Sequence, residues 1–313
     1  MPINTFSEKV TKFIPILDLI YKQVSKTSDL DDSALATQFV GTNKIKLPKV
    51  SVDGAGTYDR DNGYVQGSAG VTWEEHTLQY DRGRKFRIDV IDNDEVAFDL
   101  YRRVSSEYVR TKEVPEIDAV RFAEIYAAAT RSGTLAAVVS KDLTASDSIL
   151  DLFDAAEAAM NEKEVPEEGR VLYVTNTVYK MLKSDSKISR RIDVGQSNTN
   201  IDRRIESLDG ITPIIKVPQG RFNSLIQLND GKTTGQTAGG FVTITGNKPI
   251  NFLYARKASL RGVIKRNADK IVTPDVNQSA DAYDIFYRLH HDLIVNDNDT
   301  AGVYIHTAAT AQA

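Results

Sequence analysis

The chain has 313 residues, of which 41% are hydrophobic and 26% charged, with a formal net charge of −4 at pH 7 and no cysteine. A chain of this length can bury a sizeable core, and about two domains are expected. The lack of cysteine excludes disulfides and thiolate metal sites, and the slightly acidic balance argues against a protein that coats nucleic acid through charge alone.

Residues 1–40 are predicted to form an N-terminal arm, in which one amphipathic stretch precedes the polar segment TSDLDDSALA. Acids and lysines interrupt the apolar residues at the N-terminus, and no small-residue cleavage site follows, so no signal peptide is expected. No stretch approaches 18 uninterrupted apolar residues, so no membrane span is expected. These features favour a soluble intracellular protein.

Residues 41–80 have the pattern of a β-hairpin. Ile45 and Leu47 fall on one side of its first strand, and after Pro48 the apolar residues change to the opposite phase. Because proline has no amide hydrogen to donate to a neighbouring strand, Pro48 indicates an edge strand or a bulge.

The tip of this hairpin is rich in glycine. Asn62-Gly63 is a strong turn dipeptide, because asparagine and glycine both tolerate the positive φ of a tight hairpin turn. Tyr58, Tyr64 and Val65 have no evident core to enter, since a two-stranded ribbon buries too little apolar area to be stable alone. We therefore expect a partner to cover the tip.

A charged strand follows, in the segment DRGRKFRIDVIDNDE from residue 81 to residue 95. Its residues alternate, with Phe86 and Ile88 on one face and Lys85 and Arg87 on the other. Acids are interspersed with the basic residues, so the segment favours a polar protein contact over phosphate binding. A plain solvated strand remains the alternative.

A long amphipathic helix is predicted next. Asn93 or Asp94 is a plausible N-cap, and Tyr101 and Tyr108 recur at helical spacing with other apolar residues. Pro115 interrupts this pattern, which predicts a second helix or a kinked continuation.

The second half of the chain mixes strands and helices. Ser148 begins a capping box before a helix over residues 146–161, and RVLYVTN from Arg170 is an apolar run typical of a buried strand. Residues 185–209 are polar and predict a long surface loop, and the residues from Gly240 onward are rich in strand patterns. The predicted fold class is α+β.

Motifs that could indicate chemistry are incomplete. The triplet GKT at residues 231–233 lacks the first glycine of a phosphate-binding loop and predicts a flexible turn. DNDTAG at residues 297–302 lacks two ligands of a calcium loop, so a hairpin turn is favoured. His290 and His291 are adjacent on a strand and point to opposite faces. No catalytic residue, cofactor or metal is predicted, and the chain is not expected to be an enzyme.

The order of these segments resembles that of the major capsid proteins of tailed bacteriophages with the Hong Kong 97-like fold, of the type found in phages of Gram-positive bacteria. LQYDRGRKFRIDVIDNDE followed by VPEIDAVRFAEIYAA looks like the region that joins the extended loop to the spine helix. EEGRVLYVTNTVYKMLKSD and LDGITPIIKVPQGRF are similar to the axial domain. SADAYDIFYRLHHDLIVNDNDTAGVYIHT resembles the closing strands of the peripheral domain.

The resemblance implies an α+β Hong Kong 97-like capsid fold with an N-terminal arm, an extended hairpin loop, a peripheral domain with a long spine helix, and an axial domain. The corresponding ranges are 1–40 for the arm, 41–80 for the extended hairpin loop, 81–145 with 240–313 for the peripheral domain, and 146–239 for the axial domain.

The function implied is that of a major capsid protein that self-assembles into pentamers and hexamers and forms the icosahedral head around the double-stranded DNA genome of a tailed phage. Such a protein is located in the virion and assembles in the bacterial host cytoplasm. Its implied partners are further copies of itself, a portal, head-completion or decoration proteins and, because no long extension precedes the arm, a separate scaffold protein. DNA would be enclosed without sequence-specific binding. An encapsulin-like shell around enzyme cargo and a soluble α/β enzyme are the alternatives.

Subunit contacts are expected at the hairpin, the charged strand, the long helix and the polar stretch 185–209, which is expected to face the axis of each capsomer. The residues predicted at these contacts are Tyr58, Tyr64, Val65, Trp73, Arg82, Arg84, Arg87, Asp94, Glu95, Tyr101, Tyr108, Arg190, Arg191, Arg203 and Arg204.

Overall fold

The computed structural model describes residues 20–21, 24–32, 39–40, 43–91, 100–131, 137–144, 146–185, 205–295 and 297–311. The strands in chain order are β1 (Phe39–Val40), β2 (Lys44–Val52), β3 (Ala69–Thr77), β4 (Tyr80–Asp89), β5 (Ala137–Ser140), β6 (Arg170–Thr175), β7 (Ser207–Leu208), β8 (Thr212–Val217), β9 (Ile226–Leu228), β10 (Phe241–Thr243), β11 (Ile250–Arg256), β12 (Arg261–Val272), β13 (Ala282–Ile294) and β14 (Val303–Thr307). The helices are α1 (Leu100–Tyr108), a π-helical turn (Val109–Glu113), α2 (Val114–Arg131), α3 (Ile149–Asn161) and α4 (Asn176–Ser184), with short 3-10 helices at Ser28–Leu30, Gln219–Arg221, Lys257–Ser259 and Asp297–Gly302.

These strands form four sheets. The hairpin forms an antiparallel sheet of order β1-β2-β3, and the charged strand joins a second antiparallel sheet of order β12-β13-β4. A six-stranded mixed sheet has the order β5-β14-β11-β6-β8-β7, and β9 pairs with β10. Helix α2 packs on one face of the six-stranded sheet, and α3 and α4 pack on the other.

The strands predicted after residue 240 are distributed over three sheets. β11 and β14 lie in the six-stranded sheet beside β6, whereas β12 and β13 pair with β4. A boundary at residue 240 therefore does not coincide with a boundary between sheets. The hairpin turn predicted at residues 297–302 is wrong: this segment is a 3-10 helix, because β13 and β14, which it joins, belong to different sheets.

The long helix continues through Pro115, so of the two predicted alternatives, a second helix or a continuation, the continuation is observed. The π-helical turn at Val109–Glu113 joins α1 to α2, and Pro115 follows as the second residue of α2. Proline cannot donate the hydrogen bond of a regular helix, and a π turn is a common way to absorb such a local irregularity. Ser148 is confirmed as the N-cap of α3, since its side chain accepts a hydrogen bond from the amide of Asp151.

Asp118 of α2 anchors the segment 24–32 to the body of the protein. Its fully buried carboxylate accepts hydrogen bonds from Ser25 Oγ (2.8 Å), from Thr27 Oγ1 (2.7 Å) and from Arg221 Nη1 (3.1 Å). The backbone amide of Lys26 donates to the same carboxylate. These residues lie about 90 positions or more from Asp118 in the sequence, and no sequence pattern predicted their contact.

Arg121, one turn further along α2, completes this buried polar cluster. Its guanidinium is fully buried, donates to the carbonyl oxygen of Thr27 (2.8 Å) and pairs with the carboxylate of Asp31. Leu30 lies in the same segment and packs into the main core. Part of the range predicted as an arm is therefore built into the core.

Candidate interaction surface

The two faces of the β2–β3 hairpin have different surroundings. Ile45 and Leu47, on one face at its base, are buried against Leu78, Val263 and Ile294. On the other face, β2 and β3 expose an apolar stripe, which we define as Pro48, Val50, Val52, Val71 and Trp73. The valines of this stripe are 58–72% exposed and Trp73 is 61% exposed.

The change of apolar phase along β2 thus marks a change of environment and not a break in the strand. Pro48 lies opposite Trp73, and the pairing of β2 with β3 runs from Lys44 to Val52 without a register shift. Within the described residues, β1 pairs only with the first two residues of β2, so β3 is the one strand that neighbours Pro48 there. The edge-strand prediction is confirmed and the bulge is not present.

The tip is apolar and acidic. Tyr58, Tyr64 and Val65 are 56%, 90% and 65% exposed, and the two tyrosine rings meet edge to face at 5.0 Å. Asp59 and Gly63 exchange two backbone hydrogen bonds that close the turn. The turn predicted at Asn62-Gly63 is present, with positive φ at Gly63 (82°) and not at Asn62.

Asp292 of β13 holds the base of the hairpin. Its carboxylate accepts a hydrogen bond from the amide of Gln79 (3.0 Å), in the two-residue connection between β3 and β4, and another from the amide of Leu293 (2.8 Å). The pKa of Asp292 is raised to about 6. Burial is the largest cause, the nearby carboxylate of Glu124 adds to it, and the hydrogen bonds from the two amides act in the opposite direction.

The free energy of unfolding should depend on pH through the protonation of the Asp292 carboxyl. A carboxyl with a raised pKa in the folded state stabilises the fold below its unfolded pKa of about 4, and this contribution disappears as the pH rises through about 6. We expect Asp292→Asn to gain stability relative to wild type, by on the order of 2 kcal/mol, between about pH 4 and pH 7.5. Urea unfolding of both proteins across this range provides the measurement, and a pH-independent difference would contradict it.

A groove lies between β4, the long helix and the β9–β10 connection. Its volume is about 520 Å³, and Phe86, Val104 and Tyr108 supply apolar lining. Arg84 and Lys112 lie at its polar border. The lining contains four basic residues and three acidic ones, whereas acids outnumber the one base at the hairpin tip. The basic residues are Arg82, Arg84, Arg103 and Lys112, and the acidic ones are Glu107, Glu116 and Asp230.

The predicted arginines of the charged strand have partners within the chain. Arg82 pairs with Glu116 of α2 at 2.6 Å, and Arg84 donates two hydrogen bonds to the carbonyl oxygen of Thr237 at 3.2 Å. Both are on the helix-facing side of β4. The sequence did not predict these contacts within the chain, because the partners come from distant elements, and the predicted protein contact of this strand stays a prediction.

Arg87 points to the other face of β4 and binds Asp284 of β13. Two of its nitrogens approach the two carboxylate oxygens at 2.8 and 2.9 Å, and Lys85 approaches the same carboxylate at 2.8 Å. The hydrogen bonds from Arg87 and then from Lys85 hold the pKa of Asp284 well below its usual range. This pairing fixes the register of β4 against β13.

The remaining predicted contact residues divide into two groups. Tyr108 is half-buried and packs against Phe86 and Tyr287, with ring centroids at 5.1 and 4.7 Å. The others fall outside the part of the chain that the structure describes at side-chain level: Asp94, Glu95, Tyr101, Arg190, Arg191, Arg203 and Arg204.

Chemistry-bearing side chains do not converge on a metal site in the described ranges: no group of three or more His, Asp or Glu residues is placed to hold an ion. Asp230 accepts hydrogen bonds from the amides of Lys232 and Thr233, so the triplet 231–233 forms the predicted turn, with defined internal bonds. None of the described helices is long and apolar enough to cross a membrane.

No protein-family model and no curated protein sequence matches the chain. Solved structures do match it. A chain from Mycobacterium phage Che8 is 16% identical with a TM-score of 0.58, and the match covers 90% of each chain. The capsid of cyanophage P-SCSP1u is 14% identical with a TM-score of 0.60, covering 87% of this chain and 85% of the other. The mature capsid of bacteriophage PhiM1 is 12% identical with a TM-score of 0.56, covering 86% and 83%.

These similarities cover 83–90% of this chain and of each matched chain. At such identities they establish the fold and leave the function to be argued. The chain has the fold of phage capsid proteins, and the α+β Hong Kong 97-like fold predicted from the sequence is confirmed.

Proposed function

We propose that this chain, which has the fold of phage capsid proteins, is the major capsid protein of a tailed bacteriophage. It assembles into pentamers and hexamers that close into an icosahedral head around double-stranded DNA. Further copies of the chain are its principal partners, together with a scaffold, a portal and head-completion or decoration proteins. Assembly takes place in the host cytoplasm, and the mature location is the virion.

The observation that carries this proposal is the exposed stripe and tip of the hairpin. Five apolar side chains line one face of β2 and β3, and three more lie at the tip. Contiguous exposed apolar surface of this kind marks an interaction site. Two separate surfaces of one chain that fit each other form a head-to-tail contact, and its repetition closes a ring when the rotation between copies adds up to a full turn.

The groove beside the long helix is the surface of a neighbouring copy that suits the tip best. Asp53, Asp59 and Asp61 outnumber Arg60 at the tip, and they would meet Arg103 and Lys112 of the groove. The tyrosines of the tip would meet its apolar floor, and aromatic side chains dominate many such contacts. Opposite charges would fix the orientation of the approach.

As part of this proposal the arm, the axial domain and the peripheral domain keep the ranges given by the sequence, although β11 and β14 of the range 240–313 share a sheet with β6 and β8 of the range 146–239. The stretch 185–209 would face the axis of each capsomer. Its basic and acidic residues, such as Arg190 and Asp193, would let identical loops converge without net repulsion. Reconstruction of the assembled particle should place this stretch within contact distance of its symmetry mates, and a position far from every five-fold and six-fold axis would contradict the assignment.

Electron microscopy of the purified chain, expressed alone and with its scaffold, tests the proposal directly. We expect rings or closed icosahedral shells, and nucleic acid in particles isolated from infected cells. Shells that contain an enzyme instead of DNA would favour the encapsulin-like alternative. A chain that remains monomeric under both conditions would overturn the proposed function.

A further inference from the structure

The connection between β9 and β10 forms one wall of the groove. We define residues 229–240, NDGKTTGQTAGG, as the flap. It contains no large apolar side chain, and Ala238 is exposed. No hydrophobic contact therefore fixes the flap to the core.

Within itself the flap is well bonded. The carboxylate of Asp230 accepts from the amides of Lys232 and Thr233 and from the Thr233 hydroxyl, at 2.6–2.8 Å. The amide of Gln236 donates to the carbonyl of Thr233 (2.8 Å), and the amide of Gly239 donates to the carbonyl of Gln236 (2.9 Å). These bonds are local and exposed to solvent, so they persist only while the flap stays ordered.

The flap is attached to the protein beyond β9 and β10 by two guanidinium groups. Within the described ranges, Arg84 donates twice to the carbonyl oxygen of Thr237 at 3.2 Å, and Arg82 reaches the carbonyl oxygen of Gly240 at 3.4 Å. Gly239 and Gly240 have φ of 69° and 76° where the flap rejoins β10. Only glycine adopts such angles readily, so these two residues are suited to act as a hinge.

Two glycines of the flap also enclose the Arg84 guanidinium. A Cβ atom at Gly231 would lie 3.1 Å from Arg84 Nη1, and one at Gly239 would lie 3.4 Å from it. The guanidinium thus fits a space in the flap that a side chain at either position would narrow.

We propose that the flap is a hinged wall of the groove, that Arg84 latches it in place, and that the latched form accepts the hairpin tip of a second copy. The last part rests on the proposed function, whereas the latch is a property of the single subunit. Arg84 acts here as a positioning residue, because it orders the wall that the tip would contact. An ordered flap would remove part of the entropic cost of binding.

Hydrogen exchange on the unassembled full-length subunit tests the latch. Loss of hydrogen bonds to a charged group should raise exchange of the amides of Gln236 and Gly239 about tenfold or more in Arg84→Gln, with exchange in β13 and α2 unchanged. Arg84→Lys should restore part of the protection, because an ammonium still donates to a carbonyl. Unchanged flap exchange in Arg84→Gln would overturn the latch.

A matched pair of glycine variants separates the latch from backbone strain. Gly231→Ala and Gly235→Ala both place alanine at positive φ, at 73° and 87°, but only the first brings a methyl group against Arg84. We expect Gly231→Ala to increase flap exchange beyond the effect of Gly235→Ala. Equal increases in the two variants would mean that Arg84 does not hold the flap.

Assembly of the Arg84 variants tests whether the latched form accepts the hairpin tip of a second copy. If wild type forms shells, Arg84→Gln and Arg84→Glu should reduce the shell yield at least about tenfold at equal protein concentration, and Arg84→Lys should reduce it less. Normal yields from a subunit whose flap exchanges rapidly would overturn acceptance of the tip by the latched form and leave the proposed function intact. Absence of shells from wild type itself would instead contradict the proposed function.

Discussion

Replacement of residues 54–67 by Asn-Gly is expected to abolish shell formation while leaving the subunit folded. These residues contribute no side chain to any of the hydrophobic clusters of the described chain. Asp53 and Ser68 already exchange hydrogen bonds across the hairpin, at 3.0 and 2.7 Å, so a two-residue turn can join them. The free energy of unfolding should change by less than about 0.5 kcal/mol, as is usual for exposed positions.

Sedimentation of the variant beside wild type measures assembly, and urea unfolding measures the stability of the subunit. In wild type, the amides from Gly54 to Gly70 should exchange rapidly in the free subunit and become protected in the shell. Normal shells from the shortened chain, or equal protection in both forms, would show that the tip takes no part in assembly.

A pair of point variants tests the exposed stripe separately from the tip. Trp73 belongs to the stripe, whereas Thr72, its neighbour on β3, points to the opposite face of the hairpin. Burial of a tryptophan at an interface often contributes about 2 kcal/mol or more per contact. We expect Trp73→Lys to remain unassembled and Thr72→Lys to form shells. Assembly of both variants would exclude the stripe as a contact.

Asp118→Ala is expected to cause a large loss of stability, on the order of 3–5 kcal/mol. The substitution removes a fully buried carboxylate and leaves the guanidinium of Arg221 and the hydroxyls of Ser25 and Thr27 without their acceptor. A buried cation without its counter-charge is costly, and the segment 24–32 loses its main attachment to α2. Urea unfolding provides the measurement.

Asp29→Ala is the matched control. Asp29 lies in the same segment and pairs with Lys257 at 2.9 Å, but its side chain is 59% exposed. An exposed pair of this kind contributes about 0–1 kcal/mol. Similar losses in the two variants, or a loss below about 1 kcal/mol in Asp118→Ala, would show that burial of the cluster does not determine its contribution.

Local patterns in the sequence were sufficient to predict many of the elements. The alternation around Phe86 and Ile88 predicted a strand, the serine at position 148 predicted a helix start, and the apolar run from Arg170 predicted a buried strand. Each of these signals depends on neighbours within a few residues, where the periodicity of the backbone sets which side chains share a face. The resemblance of their order to phage capsid proteins then predicted the fold.

The partners of charged residues could not be predicted in the same way. The arginines at positions 82, 84 and 87 pair with groups that lie 34, 153 and 197 residues away. Alternation shows which face of a strand a charge occupies, but it contains no information about the element packed against that face. For the same reason the sequence did not predict the buried contact between Asp118 and the segment 24–32.

The sequence by itself therefore determined the type and order of the elements and the glycine-rich, apolar character of the hairpin tip, because these follow from short-range geometry and side-chain chemistry. Only the tertiary structure decided which strands share a sheet, where the apolar stripe of the hairpin lies, and that Arg84 holds the flap. These features depend on long-range pairing, in which burial and register select one arrangement among several that the local pattern allows.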